Sequence, residues 1–172
     1  MAIVRKDKLL AGYNGNLESV KIYNNAGSDT VEVTNGVFVV LEGLLEGERE
    51  THKARLASTG DAGKDVLFIH NSEVMYDERL HKLADFRIKK GKVARAYRLF
   101  EGDIVTLTDD LFAGYKKGTR PVAVGDVLVP VEDGLLGKGD ATGSKVRFEV
   151  IEDAGYELSQ DMQAFAVKVI RN

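Results

Sequence analysis

The stretches GDIVTLTDD (102–110) and GDVLVPVEDG (125–134) decide how this chain is read. Both open on Gly-Asp, run through apolar residues and close on acids, and they start 23 residues apart. Two readings compete: a duplicated acidic site, or a duplicated strand–turn unit. Only the Gly-Asp, the apolar run and the closing acid match, and Pro130 has no counterpart at Leu107. Glycine permits a tight turn and aspartate bonds the local backbone. The pair therefore reads as two related strand–turn units with different places in one sheet. Pro130 removes a backbone donor and favours an edge position for the second strand, while the first can sit further in.

The same pattern extends in both directions. SVKIYN (19–24), TVEVTNG (30–36), VARAYRL (93–99), KVRFEVI (145–151) and AFAVKVI (164–170) alternate with the period of a strand. VFVVL (37–41) and VLFIH (66–70) are continuous apolar runs, as expected of strands buried on both faces. Asn35-Gly36 is a hairpin signal, so the runs at 19–24, 30–36 and 37–41 are expected to form a meander. Helical expectations are few. ETHKARLA (50–57) could make two turns, and YDERLHKLADF (76–86) has Asp77 as a cap with Leu80, Leu83 and Ala84 on one stripe. The expected fold is mainly β: an antiparallel β-sandwich or small β-barrel with one or two short helices. Three parts are expected: an N-terminal arm or edge strand at 1–15, a β-rich part at 16–100 with a short helix near 77–86, and a barrel-like part at 101–172. The last two could be a single domain, 16–172.

Composition narrows the function. The 172 residues are 44% hydrophobic, enough for a buried core, and the net charge is −3 with both signs interspersed. That balance indicates neither a strong nucleic-acid field nor an acidic disordered chain. No cysteine is present, so disulfides and thiolate metal sites are excluded. No apolar run reaches signal-peptide or membrane-span length.

The residues that could carry chemistry have simpler roles. His52, His70 and His81 are not at metal-ligand spacing. LLGKGDATGSK (135–145) lacks the Gly-Lys-Ser/Thr spacing of a phosphate loop and precedes a strand rather than a helix, so it reads as a hairpin loop. The pairs Asp109-Asp110, Glu132-Asp133 and Glu152-Asp153 could bind calcium or act in acid–base catalysis. Each follows a strand, where acids start turns, and that reading is preferred. Arg87, Lys89, Lys90, Lys92, Arg95 and Arg98 form a basic stretch that reads as a solvated turn and strand, or as a contact for an acidic partner surface. No catalytic, cofactor or metal residue is assigned, and the chain is not expected to be an enzyme.

One resemblance enters here. The basic N-terminal segment, the meandering strands and a C-terminal half built as Gly125-Asp126-Val127-Leu128-Val129, the glycine-rich loop 134–144 and Val146–Asp153 resemble the small capsid decoration (cement) proteins of tailed bacteriophages. The resemblance covers the last 75 residues best and implies a virion protein, made in the bacterial cytoplasm, that binds the outer face of the major capsid protein shell. It implies a homo-oligomeric cluster on the lattice, no cofactor, no direct nucleic-acid contact and no membrane. Arg5, Lys6, Lys8, Lys89, Lys90 and Lys92 are the expected docking residues. The alternatives are another phage part, such as a head-fibre base, tail or connector protein, and a small metal-dependent hydrolase or carbohydrate-active domain using the acidic loops.

Overall fold

A computed structural model describes residues 3–8, 16–73 and 85–171, with the backbone alone at 5–8. The molecule is mainly β. Its strands in chain order are β1 (Val4–Lys8), β2 (Leu17–Tyr23), β3 (Phe38–Leu44), β4 (Thr51–Leu56), β5 (Val66–Ile69) and β6 (Ala94–Tyr97). These are followed by β7 (Ile104–Thr108), β8 (Val127–Pro130), β9 (Leu136–Gly137), β10 (Arg147–Gly155) and β11 (Ala164–Arg171).

Strands β2 to β6 close into a five-stranded barrel in the order β2-β4-β3-β5-β6, with β6 returning to β2. Every ladder in it is antiparallel except β2–β4, which runs parallel from Ser19↔Thr51 to Tyr23↔Arg55. Barrel closure removes the unpaired edges that an open sheet would expose. Small residues line part of it: Ala54, Ala94 and Ala96 are fully buried. The apolar runs behave as their continuity predicts. Phe38, Val39 and Val40 are buried, as are all four residues of β5.

The second unit is a six-stranded sheet, β1-β7-β11-β10-β8-β9. Its ladders are antiparallel. Its ends approach one another, because Phe112, just past β7, forms a parallel bridge to Leu136 of β9. The basic N-terminal segment is its outer strand, with Val4↔Leu107 and Lys8↔Ile104 in register. β7 lies between β1 and β11, in an interior position as expected. β8 is not at the edge, because the two-residue β9 covers it through Val129↔Gly137 and Pro130↔Leu136. Pro130 is tolerated there because it ends its strand, where no further ladder donor is needed.

Barrel and sheet share one core. The rings of Phe38 (barrel) and Phe148 (sheet) meet edge-on at 5.2 Å between centroids. Backbone bonds reinforce the joint: Gly134 N–H donates to Ala57 (3.0 Å), and Lys145 N–H to Ala62 (2.7 Å). Gly134 has φ +67, and a Cβ there would collide with the carbonyl oxygen of Phe38. Glycine is required at this joint both for the left-handed backbone and for the close approach.

Two expectations are corrected. ETHKARLA is not helical: Thr51–Leu56 is a strand held between β2 and β3. Its charged side chains disguise the strand, and pairing on both sides overrides a weak helical preference. Asn35-Gly36 does not turn a hairpin between two ladders. Asn35 is 1% exposed; its amide donates to the Asn71 carbonyl and its oxygen accepts the Asn71 N–H. Residues 30–33 contribute only isolated bridges, Tyr23↔Thr30 and Val33↔Ile88. The helix expected at 77–86 falls almost entirely on residues 74–84, outside the described residues, as does His81.

Candidate functional site

The two Gly-Asp segments build the same local structure. In Phe100–Asp103 and Ala123–Asp126 the glycine has positive φ, +95 at Gly102 and +89 at Gly125. The aspartate carboxylate accepts the N–H three residues back, from Phe100 at 2.8 Å and from Ala123 at 2.7 Å. The glycine N–H donates to a neighbouring strand, at Val169 in one unit and Val150 in the other, and that same residue donates back to the aspartate carbonyl. Each strand then ends in one turn of 3-10 helix, Asp109–Leu111 and Glu132–Gly134. The duplication is one of turn and strand.

The acids that close the units serve the backbone or pair with cations. Asp110 accepts the Thr108 hydroxyl at 2.7 Å, and Glu132 accepts the Thr59 N–H at 3.2 Å. Asp153 accepts the Gly155 N–H and pairs with Arg120, both at 2.9 Å. Asp126 pairs with Lys138 at 2.8 Å, and this bond is the main reason its carboxyl is held below the ordinary range. Among the described residues no group of three or more His, Asp and Glu is placed to hold a metal ion.

Asp109 departs from this pattern. It is 5% exposed, and its Oδ1 meets no hydrogen-bonding group among the described residues. Burial raises its carboxyl above the ordinary carboxylate range, and neighbouring Asp110 adds to the rise. Nothing in the residue pair Asp-Asp distinguishes the first acid from the second. The difference arises because the 3-10 turn carries Asp109 inward and Asp110 back toward Thr108.

Neighbouring concavities open on this side of the molecule among the described residues. The largest, an open groove of about 570 Å³, runs between the 113–122 loop and the 131–138 segment. A second, of about 300 Å³, shares Pro121, Val122 and Lys138 with it and reaches Val124 and Phe165. A third, of about 130 Å³, is the one Asp109 lines. Beside them the apolar side chains Val124, Val127 and Ile151 stand exposed.

The expected docking residues fall on different units. Arg5, Lys6 and Lys8 lie on β1, the outer strand of the six-stranded sheet. Lys89, Lys90 and Lys92 are exposed on a turn leading into β6, closed by a bond from Lys92 N–H to Lys89 at 3.1 Å. Other members of the basic stretch have structural work. Arg98 bridges Glu18 and Asp65, joining the barrel's first strand to the residue before β5. His52 lies in β4 with its Nδ1 3.6 Å from a Glu18 carboxylate oxygen, and His70 follows β5. Among the described residues no helix is long and apolar enough to cross a membrane. No protein-family model, curated protein or solved structure matches the chain.

Proposed function

We propose that this protein is a non-catalytic structural component of a phage virion, a decoration protein that binds the outer surface of the major capsid shell and stabilises it. The observation that carries the reading is the order of the resembled segment. The Gly125-Asp126 turn opens β8, the glycine-rich segment 134–144 follows and contributes the short β9 along one side of β8, and β10 returns antiparallel on its other side. Two further features support it. Of the paired acids, Asp110, Glu132 and Asp153 are held by a hydroxyl, a turn N–H group or a cation. Exposed basic and apolar residues at Lys89–Lys92 and at Val124, Val127 and Ile151 offer contact surface.

In such a role each subunit adds contact area across joints of the shell, and lattice symmetry multiplies contacts that are individually weak. Purified virions analysed by mass spectrometry should contain this chain at hundreds of copies. Copy numbers of a few to dozens would point instead to a connector or tail part, and absence from particles would overturn the reading. Added to shells lacking it, the protein should bind less tightly once Arg5, Lys6, Lys8, Lys89, Lys90 and Lys92 are changed to Glu, and its binding should no longer weaken as salt is added. Unchanged occupancy would reject that docking surface.

A further inference from the structure

We propose that the pocket closed by Asp109 binds the cationic end of a lysine or arginine side chain presented by a partner protein. The pocket holds about 130 Å³ and is walled by Asp109, Tyr115, Thr119, Tyr156, Asp161 and Gln163. At about 30 Å³ per water it has room for roughly four, which suits an alkylammonium or alkylguanidinium chain end and excludes a nucleotide.

The chemistry of the wall selects a cation. Asp109 is 5% exposed and its Oδ1 has no hydrogen-bonding partner among the described residues. A buried carboxylate oxygen left in that state is costly unless an ion or donor meets it. Asp161 adds a second acid at the exposed side, and Tyr115 and Tyr156, of a residue type whose rings attract cations, line the same pocket. Tyr156 is 59% exposed, so the mouth opens at the surface, where the rest of a partner chain can continue. Burial together with the nearby acids Asp109 and Asp110 holds the Tyr115 hydroxyl in its protonated form, ready to donate or accept.

Arg120 is the one cation on the wall among the described residues. Its Nη1 is drawn 2.9 Å from Asp153, which turns its charge toward a different acid. Arg120 thus competes with the incoming cation only if it leaves Asp153, and removing it should favour binding.

The test is a two-dimensional amide NMR titration of the full chain with butylammonium, propylguanidinium, neutral pentanol, calcium and a blocked Gly-Lys-Gly peptide. The expected result is saturable shifts around 109–120 and 156–163 with the two cations, at a dissociation constant of about 1–10 mM for ligands of this size. The peptide should bind at least as well, and pentanol should not bind. Asp109→Asn should weaken binding about tenfold or more while raising the melting temperature of the free protein, because the desolvated charge is gone. Arg120→Gln should tighten binding. No saturable shift, tighter binding of calcium, binding of butylammonium without the peptide, or a lower melting temperature for Asp109→Asn would each overturn the proposal. These readouts need no capsid, so they stand or fall independently of the virion reading.

Discussion

The barrel and the six-stranded sheet use charge in opposite ways. In the barrel half, cations tie strands and turns together. Arg55 reaches Asp61 at 2.6 Å and Glu42 at 3.3 Å, with Lys64 on the same aspartate at 2.8 Å, and Asp61 is only 3% exposed. Arg98 gathers Glu18 and Asp65 in the same manner. In the sheet half, the paired cations Arg120 and Lys138 are 65% and 60% exposed and stand on the walls of open grooves. Charge buried in a network fixes structure, whereas exposed pairs contribute little to stability and are free to exchange partners. The buried charges of the barrel half are therefore committed to structure, while those on the sheet's loops stay open to solvent.

The strongest way to break this division is to attack the core the halves share. Phe38→Ala should cost about 4 kcal/mol. It should leave a single unfolding transition in a urea titration followed by both circular dichroism and fluorescence, because Phe38 packs on Phe68 and Phe148 at once. Two separated transitions would show that the halves are independent. Gly134→Ala should cost about 3 kcal/mol through left-handed strain and the clash with Phe38, measurable in the same titration.

Next comes the charge network. Arg55→Met leaves Asp61 with Lys64 and Ser58 and should cost about 2 kcal/mol, whereas Arg120→Gln should cost well under 1 kcal/mol. Equal losses would erase the contrast. The network also sets acid stability. Arg55, then Lys64 and Ser58, hold the Asp61 carboxyl well below its ordinary 3.8. A depressed carboxylate stabilises the fold above its unfolded value, so this contribution is complete at neutral pH and drains away as the pH falls below about 4. In Asp61→Asn that part of the acid transition should flatten in a thermal-melt series against pH.

The smallest effect compares the duplicated turns. Asp103 is fully buried and Asp126 is about a quarter exposed, though both accept the same N–H. Substitution by Ala should cost about 2 kcal/mol at 103 and about 1 kcal/mol at 126, since the first bond is part-buried and the second exposed.

Much of this fold is legible in the residues. VFVVL and VLFIH announce buried strands, and Gly-Asp announces a turn whose geometry recurs bond for bond. What is not legible depends on long-range partners. The parallel pairing of β2 with β4 leaves no local mark, so THKARL looks helical. Asn35 resembles a turn residue until Asn71 meets it from 36 positions away. The inward turn of Asp109 is likewise invisible, because burial is set by Gln163 and the loops around it, while Asp110 beside it has the same chemistry and a different fate.

The placement of β1 has a consequence for how the molecule is made. Residues 4–8 leave the ribosome early, yet their ladder partner is 104–108, and β7 is flanked on its other side by residues 164–171. The barrel at 17–97 can close while synthesis continues, but the sheet cannot, because β11 lies between β7 and β10. The first strand must wait for residues about 100 positions further on before it finds its place, and contacts this distant in sequence form slowly. During that interval the Val4 side of β1 and the edge of β7 are open to a neighbouring chain in the same state, so assembly at high local concentration would favour exchange of this strand between copies.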